Sequence, residues 1–406
     1  MRAFVLVVTV IGLLAGACAA PPPERTGVAE HTVDPSFVHG TDHGDTDRLA
    51  ATVVSDAQDY WSKAYPATFD RPWKDLDGGF FSVDTGDTSS SPPCASTVSE
   101  VEGNAYYCRS VDAIAWDRTA LLPVLREHYG DAAVAVVLSH EIGHAVQQRA
   151  DLAQGQPLRL EAMADCFAGS FLRWVSDGRA PHLRVSPDQL DEALRAIMVF
   201  RDPVGSTGAH GTAFDRISAF QTGFAGGPGG CPDVPTADVA EPVEQDPNVP
   251  LDEAIDTTAA ERYFGELVTE RGGRWTPPRL GNCPNARGPV DYCGAPPRVS
   301  IDRAALGTIR DETGDQAVTT LVASRYATAA LAQLEEPVTG KAISCLTGAY
   351  TAARPALSPG DLDEAVQIVL TSEALARDAR GRGSINGSDR IAAFRSGALD
   401  GAGACG

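Results

Sequence analysis

The chain has 406 residues, 43% of them hydrophobic, and this length favours two or three domains with substantial cores. Its 33 Lys and Arg against 54 Asp and Glu give a formal net charge of −21. Because so acidic a protein repels polyanions, the composition argues against nucleic-acid partners.

Residues 1–20 have the layout of a secretory signal, with Arg2 before an apolar run that is too short to span a bilayer. Small residues stand directly before Cys18, which is similar to a bacterial lipoprotein signal. This predicts export, with a lipid on Cys18 holding the protein at the extracellular face of the membrane. Plain secretion stays open, because the large aliphatic Leu14 lies four residues before Cys18 instead of the preferred three.

Two segments rich in proline and polar residues divide the rest of the chain. Residues 21–47 lack an apolar period and are predicted to form a flexible tether. Residues 234–250 are predicted to form a linker between domains at 48–233 and 251–406. Three histidines fall in the tether, where a solvated linker is favoured over a second metal site: His31, His39 and His43.

The first domain is predicted to be α+β, rich in helix and with a small sheet. Residues 78–84 and 111–117 are short, β-rich and bounded by turn residues, which is typical of strands. A buried, apolar helix is predicted from an N-cap at Asp131 to Ala150. A second helix is predicted from Leu158 to Val175, after a glycine and a proline.

The first of these helices contains an HExxH motif formed by His140, Glu141 and His144. Residues four apart in a helix lie about 40° apart around its axis, so both imidazoles can reach one ion. Glu141 flanks that ion and can serve as general base. Such polar side chains are costly in an apolar helix unless they are engaged, and the pattern therefore predicts a zinc site.

The third zinc ligand is predicted to be Glu161, 17 residues after the second histidine and near the start of the second helix. Asp165 shares its helix face and is expected to accept a hydrogen bond from a ligand histidine, with His140 the favoured partner. Asp165 as the direct ligand is the alternative. The class with a third histidine is excluded, because Gln147 and Ala150 occupy the positions that it requires.

SHEIGHAVQ, RLEAMADCFAG and GAHGTAFDRISAFQTGF resemble segments of the neutral zinc metallopeptidases of bacteria, and the resemblance extends over about residues 50–231. It implies the zincin fold and the same zinc ligands as above. It also draws attention to His210 as a donor to the oxyanion of a tetrahedral intermediate, with Arg216 as the weaker candidate.

The two domains look like copies of one sequence. VSPDQLDEAL is matched by LSPGDLDEAV, and FDRISAFQTGFAGGPGGC by SDRIAAFRSGALDGAGAC, in the same order. Asp215 and Arg216 recur as Asp389 and Arg390, which favours a structural pair or cap common to both copies.

The second copy lacks the predicted metal ligands, and the chain has no histidine after residue 210. Alignment places other residues at the HExxH, Glu161 and Asp165 positions: Ser324, Arg325, Thr328, Gly340 and Ser344. We therefore expect a degenerate, non-catalytic copy that packs against the first or recruits substrate.

Eight cysteines remain besides Cys18, and an even number in an exported chain favours disulfides. Their matching positions predict bonds within each copy: Cys94–Cys108, Cys166–Cys231, Cys283–Cys293 and Cys345–Cys405.

Together these features predict an exported zinc metallopeptidase that hydrolyses peptide bonds of a protein or peptide substrate, with a zinc-activated water and Glu141 as base. A strand near Phe80 or Ile114 is expected to pair with the extended peptide. The alternative is a binding or regulatory lipoprotein of the cell surface that uses a peptidase scaffold.

Overall fold

The computed structural model describes residues 27–89, 91–200, 211–235, 247–294, 296–355, 357–378 and 385–406. These residues form an α+β protein, mostly helical with small mixed sheets, as predicted. Two successive units follow one another along the chain, and the same order of elements recurs in both. None of the helices in the described ranges is both long and apolar enough to cross a membrane.

The first unit has four strands and six helices within its described residues. In chain order they are β1 Val38–His39, α1 Asp45–Phe69, β2 Gly79–Val83, β3 Ala105–Cys108, β4 Ala113–Asp117, α2 Leu121–Tyr129, α3 Asp131–Arg149, α4 Pro157–Ser176, α5 Pro187–Val199 and α6 Ala213–Gly226.

After a short first helix, the second unit repeats this order from α1 onwards, and its described residues include no counterpart of β1. Its elements are α7 Leu251–Ala254, α8 Thr258–Glu270, β5 Arg279–Leu280, β6 Val290–Gly294, β7 Pro297–Ile301, α9 Arg303–Glu312, α10 Asp315–Gln333, α11 Gly340–Ala352, α12 Pro359–Thr371 and α13 Gly387–Asp400.

The two sheets share one topology. In the first, the order is β1-β2-β4-β3, with β2 parallel to β4 and β3 antiparallel to it. In the second, the order is β5-β7-β6, with the same parallel and antiparallel pairs. The prediction that an extended peptide pairs near Phe80 or Ile114 is wrong, because both residues already have partners on two sides. The edge strand next to β4 is β3.

Helix α3 lies at the centre of the first unit and contacts α1, α2, α4 and α5. Its apolar residues surround the axis, as expected for a buried helix. The N-cap is Gly130, one residue before the predicted Asp131. Gly130 has φ +74°, a conformation that favours glycine, and a Cβ there would lie 2.6 Å from the Glu192 carboxylate.

Glycines allow a very close crossing of α4 and α6. A Cβ on Gly223 would lie 1.7 Å from the carbonyl oxygen of Cys166. The second unit repeats the crossing between α11 and α13, where a Cβ on Gly397 would lie 1.8 Å from the carbonyl oxygen of Cys345. The backbones therefore touch in both units, and this contact sets the relative position of each helix pair.

All four predicted disulfide pairs are confirmed. They join Cys94 to Cys108, Cys166 to Cys231, Cys283 to Cys293 and Cys345 to Cys405. Cys166–Cys231 links α4 to the turn that follows α6, and Cys345–Cys405 makes the equivalent link in the second unit.

The prediction of a flexible tether at residues 21–47 is wrong from residue 27 onwards. Val28 is fully buried, Ala29 forms a β-bridge with Leu183, and β1 pairs with β2. A segment without apolar period can still pack when its backbone bonds to neighbouring strands and a few apolar side chains fill gaps. Residues 21–26 lie outside the described ranges, as do 236–246 of the predicted linker.

Candidate metal centre

Helices α3 and α4 bring three potential metal ligands together. Glu161 lies 3.2 Å from Nε2 of His140 and 3.5 Å from Nε2 of His144. One ligand atom from each of the three residues lies within 4.8 Å of the others. Two imidazoles and one carboxylate around an open side are the donor set of a catalytic zinc site. The residues present therefore fit this ion.

Asp165 supports this group from behind. It is fully buried, and its Oδ1 lies 2.8 Å from Nδ1 of His140, which confirms the predicted contact. A proton held on Nδ1 by this carboxylate leaves the lone pair of Nε2 directed towards Glu161. Because Asp165 contacts the far nitrogen, Glu161 is the carboxylate placed to be the direct ligand.

Arg216 completes the support and was not predicted in this role. Its Nε and Nη2 donate to the two carboxylate oxygens of Asp165, at 2.7 and 2.8 Å, and its Nη1 donates to the Phe200 carbonyl. The predicted pair of Asp215 with Arg216 does not form, but the alternative of a cap common to both units is confirmed. Asp215 bonds to Thr212 at the start of α6, and Asp389 bonds to Asn386 at the start of α13. Arg216 borders the cavity, but these bonds leave it poorly placed as an oxyanion donor.

The charges in this group favour a cation. Burial opposes the charged imidazolium, but the carboxylates of Asp165 and Glu161 outweigh it and raise the pKa of His140 to about 10. Burial also opposes ionisation of Asp165, yet the Arg216 guanidinium and His140 hold the pKa of that carboxyl well below its usual range. The same negative surroundings that stabilise a proton on His140 would stabilise a divalent metal ion.

Gln147 orients the second histidine. Its Oε1 lies 3.1 Å from Nδ1 of His144, and its Nε2 donates to the carbonyl oxygen of Leu160. This role was not predicted, although Gln147 follows His144 by three residues and so shares its helix face. Both candidate histidine ligands thus have a partner on the nitrogen that faces away from Glu161.

Glu141 is buried beside the ligands, and its Oε2 accepts a hydrogen bond of 2.9 Å from the backbone N–H of Tyr107 on β3. Burial raises the pKa of Glu141 to about 7, and the Glu161 carboxylate contributes in the same direction. A carboxyl group that titrates near neutral pH can both accept and release a proton, which suits general acid–base catalysis.

A cavity of about 420 Å³ opens over these side chains. The edge strand β3 lines one side, and apolar residues from α2, α3 and the end of α5 line another: Leu121, Val136, Val137, Ile197 and Phe200. An apolar cleft with a few convergent polar groups is the usual form of a ligand site.

The second unit replaces this group with a filled core. Arg325 is fully buried at the position that corresponds to Glu141, and its guanidinium donates to the carbonyl oxygens of Leu375 and Arg377. Ser324 and Thr328, at the histidine positions, bond to carbonyls of their own helix. Neither an imidazole nor a carboxylate therefore stands at the three positions of the motif in the second unit.

Other predicted positions lie elsewhere. Cys18 and His210 are outside the described residues. His31, His39 and His43 are exposed, and His39 stacks on Phe81 at 4.7 Å.

Comparisons with known protein families, with curated proteins and with solved structures give no match to this chain.

Proposed function

We propose that the first unit is a zinc metallopeptidase of the zincin type, which hydrolyses peptide bonds. The observation that carries this proposal is the convergence of His140, His144 and Glu161 beside the buried carboxyl group of Glu141. This arrangement pairs three donors suited to zinc with a base that titrates near neutral pH. The resemblance of the sequence around these residues to the neutral zinc metallopeptidases supports the same activity.

Zinc, when bound, supplies a Lewis acid that lowers the pKa of a water molecule and polarises a carbonyl group. Glu141 accepts a proton from the attacking water and delivers it to the leaving amine. The Tyr107 N–H fixes one oxygen of Glu141, so the carboxylate keeps its orientation during both transfers. Asp165 and Gln147 hold the two histidines in the orientation that the ligand set requires.

An extended peptide would bind along β3 in place of the strands first expected. This strand forms the edge of its sheet and lines the cavity from Ala105 to Tyr107. Edge strands bind extended peptides through main-chain hydrogen bonds. A substrate lying there would bring its scissile carbonyl next to Glu141, since the same strand contacts that side chain.

The signal-like N-terminus supports an exported enzyme that a lipid on Cys18 attaches to the membrane, with plain secretion as the alternative. The rival function, a binding or regulatory lipoprotein, would suit a chain in which both copies had lost their ligands. The intact ligand set and base of the first unit favour the enzyme.

The test uses purified protein without residues 1–20. We expect about one zinc per chain by elemental analysis and cleavage of a fluorescently labelled, unfolded protein substrate. Glu141→Gln should keep the zinc but lose about 10²–10⁴-fold in kcat/KM, because it removes the general base. Exposed Glu270 provides the control Glu270→Gln, which should behave like wild type. Zinc-free wild type, or equal cleavage by wild type and Glu141→Gln, would refute the proposal.

A further inference from the structure

The two units contact each other through equivalent helices. Asp191 on α5 accepts hydrogen bonds from the backbone N–H groups of Gly387 and Ser388, at the start of α13. Asp363 on α12 accepts one of 3.2 Å from the N–H of Phe214, at the start of α6. In the duplicated segments Asp191 corresponds to Asp363, and Phe214 to Ser388. Each unit therefore caps a helix of the other unit, and the two capping aspartates are equivalent residues.

A second pair of contacts is made by equivalent donors, although their acceptors are not equivalent. Gln221 on α6 donates to the Ser388 carbonyl at 3.4 Å, and Arg395 on α13 donates to the Thr222 hydroxyl at 2.8 Å. Gln221 and Arg395 also correspond in the duplicated segments. The interface thus resembles that of a two-fold symmetric dimer, in which one patch contacts its own equivalent.

The contact made by Asp363 reaches the first turn of α6, where few other bonds are available. The first N–H groups of a helix have no partner within the helix. Thr212 satisfies the N–H of Asp215, and Asp363, from the other unit, satisfies that of Phe214. A carboxylate at this end also interacts favourably with the helix dipole.

That same turn carries Arg216, two residues after Phe214. Arg216 binds both oxygens of Asp165, and Asp165 binds His140. The other end of α6 is held within the first unit, by the glycine crossing with α4 and by the disulfide that follows the helix. The second unit therefore holds the end of α6 from which the support of His140 begins.

We propose that the second unit is a positioning partner for the metal centre, and that Asp363 holds the first turn of α6 so that Arg216 and Asp165 keep His140 aligned. The inference rests on the proposed zinc site and assigns the degenerate copy a role in it. It makes Asp363 a positioning residue that acts on the ion through three other side chains.

The symmetry of the interface provides a matched control. Asp191 makes the equivalent contact in the opposite direction, and the arginine of that helix, Arg390, donates to the main-chain oxygens of Val369 and Leu370. Replacing Asp191 therefore breaks the same kind of helix cap between the same two units, but on a helix whose arginine does not contact the metal group.

The experiment compares the full chain without residues 1–20 with Asp363→Ala, Asp363→Asn and Asp191→Ala. Zinc dissociation constants are measured by competition with a chromophoric chelator. Because loss of a direct supporting partner weakens metal binding by about 10–100-fold and Asp363 acts further out, we expect Asp363→Ala to raise Kd by about three- to tenfold. Asp363→Asn keeps an acceptor oxygen for Phe214 and should restore most of the affinity.

Two further measurements separate positioning from general stability. The visible absorption of the cobalt-substituted protein reports ligand geometry and should change in Asp363→Ala alone. Thermal unfolding of the metal-free proteins should show similar losses for Asp363→Ala and Asp191→Ala, with zinc Kd near wild type for Asp191→Ala. Equal effects of both variants on Kd, or none for Asp363→Ala, would overturn the inference while leaving the zinc site intact. Absence of zinc from wild type would instead overturn the proposed function and, with it, this role for Asp363.

Discussion

Helices α3 and α10 occupy the same place in their units, yet the polar side chains that they bury differ in kind and in charge. In α3, His140 and Glu141 meet the carboxylates of α4 around a cavity. In α10, Arg325 extends from the position of Glu141 and binds only uncharged oxygen atoms. Both helices are buried, begin after a glycine with positive φ and lie in the same order of elements.

The difference teaches which features serve folding and which serve chemistry. Disulfides, glycine crossings and sheet topology are present in both units, so these features belong to the fold and do not depend on the histidines of α3. Among the described residues, the second unit holds a half-buried acidic group formed by Asp315, Asp361 and Glu364, without histidine. Within the same described ranges, a cluster of buried histidine and carboxylate side chains occurs in the first unit alone. Since burying charges costs free energy unless they are well paired, its presence there is better explained by function than by stability.

The largest difference between α3 and α10 should appear when one candidate zinc ligand is removed. We expect His144→Ala to abolish stoichiometric zinc binding, because two protein ligands cannot complete the site. Its matched control is Thr328→Ala at the equivalent position of α10, where the hydroxyl bonds only to the Ser324 carbonyl. That control should keep the zinc content of wild type. Elemental analysis after dialysis distinguishes the two, and zinc loss in both variants would contradict the assignment.

Replacing the equivalent arginines, Arg216 and Arg390, should lower the free energy of unfolding by different amounts and with a different dependence on pH. In the metal-free protein at pH 7, Arg216→Met removes the guanidinium from the buried carboxylate of Asp165 and leaves His140 as its charged partner. This should cost about 3 kcal/mol of unfolding free energy, the lower end of the range for a broken buried ion pair. Arg390→Met leaves main-chain carbonyls without a donor, which should cost about 1–3 kcal/mol.

The pH dependence follows from the depressed pKa of Asp165, which stabilises the wild type above the pKa of the unfolded carboxyl group and less as the pH falls through it. In Arg216→Met the buried carboxyl becomes protonated more easily. The unfolding free energy that Arg216→Met loses relative to wild type should therefore become smaller between pH 7 and pH 4. The loss in Arg390→Met should stay nearly constant. Urea titrations at both pH values measure this, and parallel behaviour of the two variants would contradict the pairing of Arg216 with Asp165.

The last prediction concerns how kcat/KM of the wild type falls at acidic pH. Glu141 must be ionised to act as base, and its raised pKa of about 7 means that protonation begins near neutrality. Bound zinc favours the carboxylate, so the midpoint should lie at or below that value. Below it, kcat/KM should fall by about tenfold per pH unit, since one proton blocks the base. A wild-type profile that stays flat down to pH 4 would exclude Glu141 from this role.

Much of the site could be predicted because its main residues lie close together along the chain. The four-residue spacing of His140 and His144, and of Glu161 and Asp165, follows from the helical period alone. Duplication reduced the possible cysteine pairings to bonds within each copy, and all four agree with the structure. The predicted helix bounds lie close to those in the structure, where α4 begins one residue before the predicted Leu158.

The partners of these residues could not be predicted, because they come from distant parts of the chain. Asp215 stands next to Arg216 in sequence, but the side chain of Arg216 points towards Asp165 across the close crossing of α4 and α6. The tether from residue 27 packs through backbone bonds and isolated apolar residues, which leave no periodic pattern.

The sequence by itself determined the candidate ligand set, the proposed base, the duplication and the disulfide pattern, since each follows from local spacing or from repeated motifs. Only the tertiary structure decided which strand faces Glu141, what holds Asp165 and how one unit caps a helix of the other. These contacts join residues 34, 51 and 149 positions apart, and they depend on packing between elements. Spacing along the chain carries no information about such distances, because it does not say which surfaces meet.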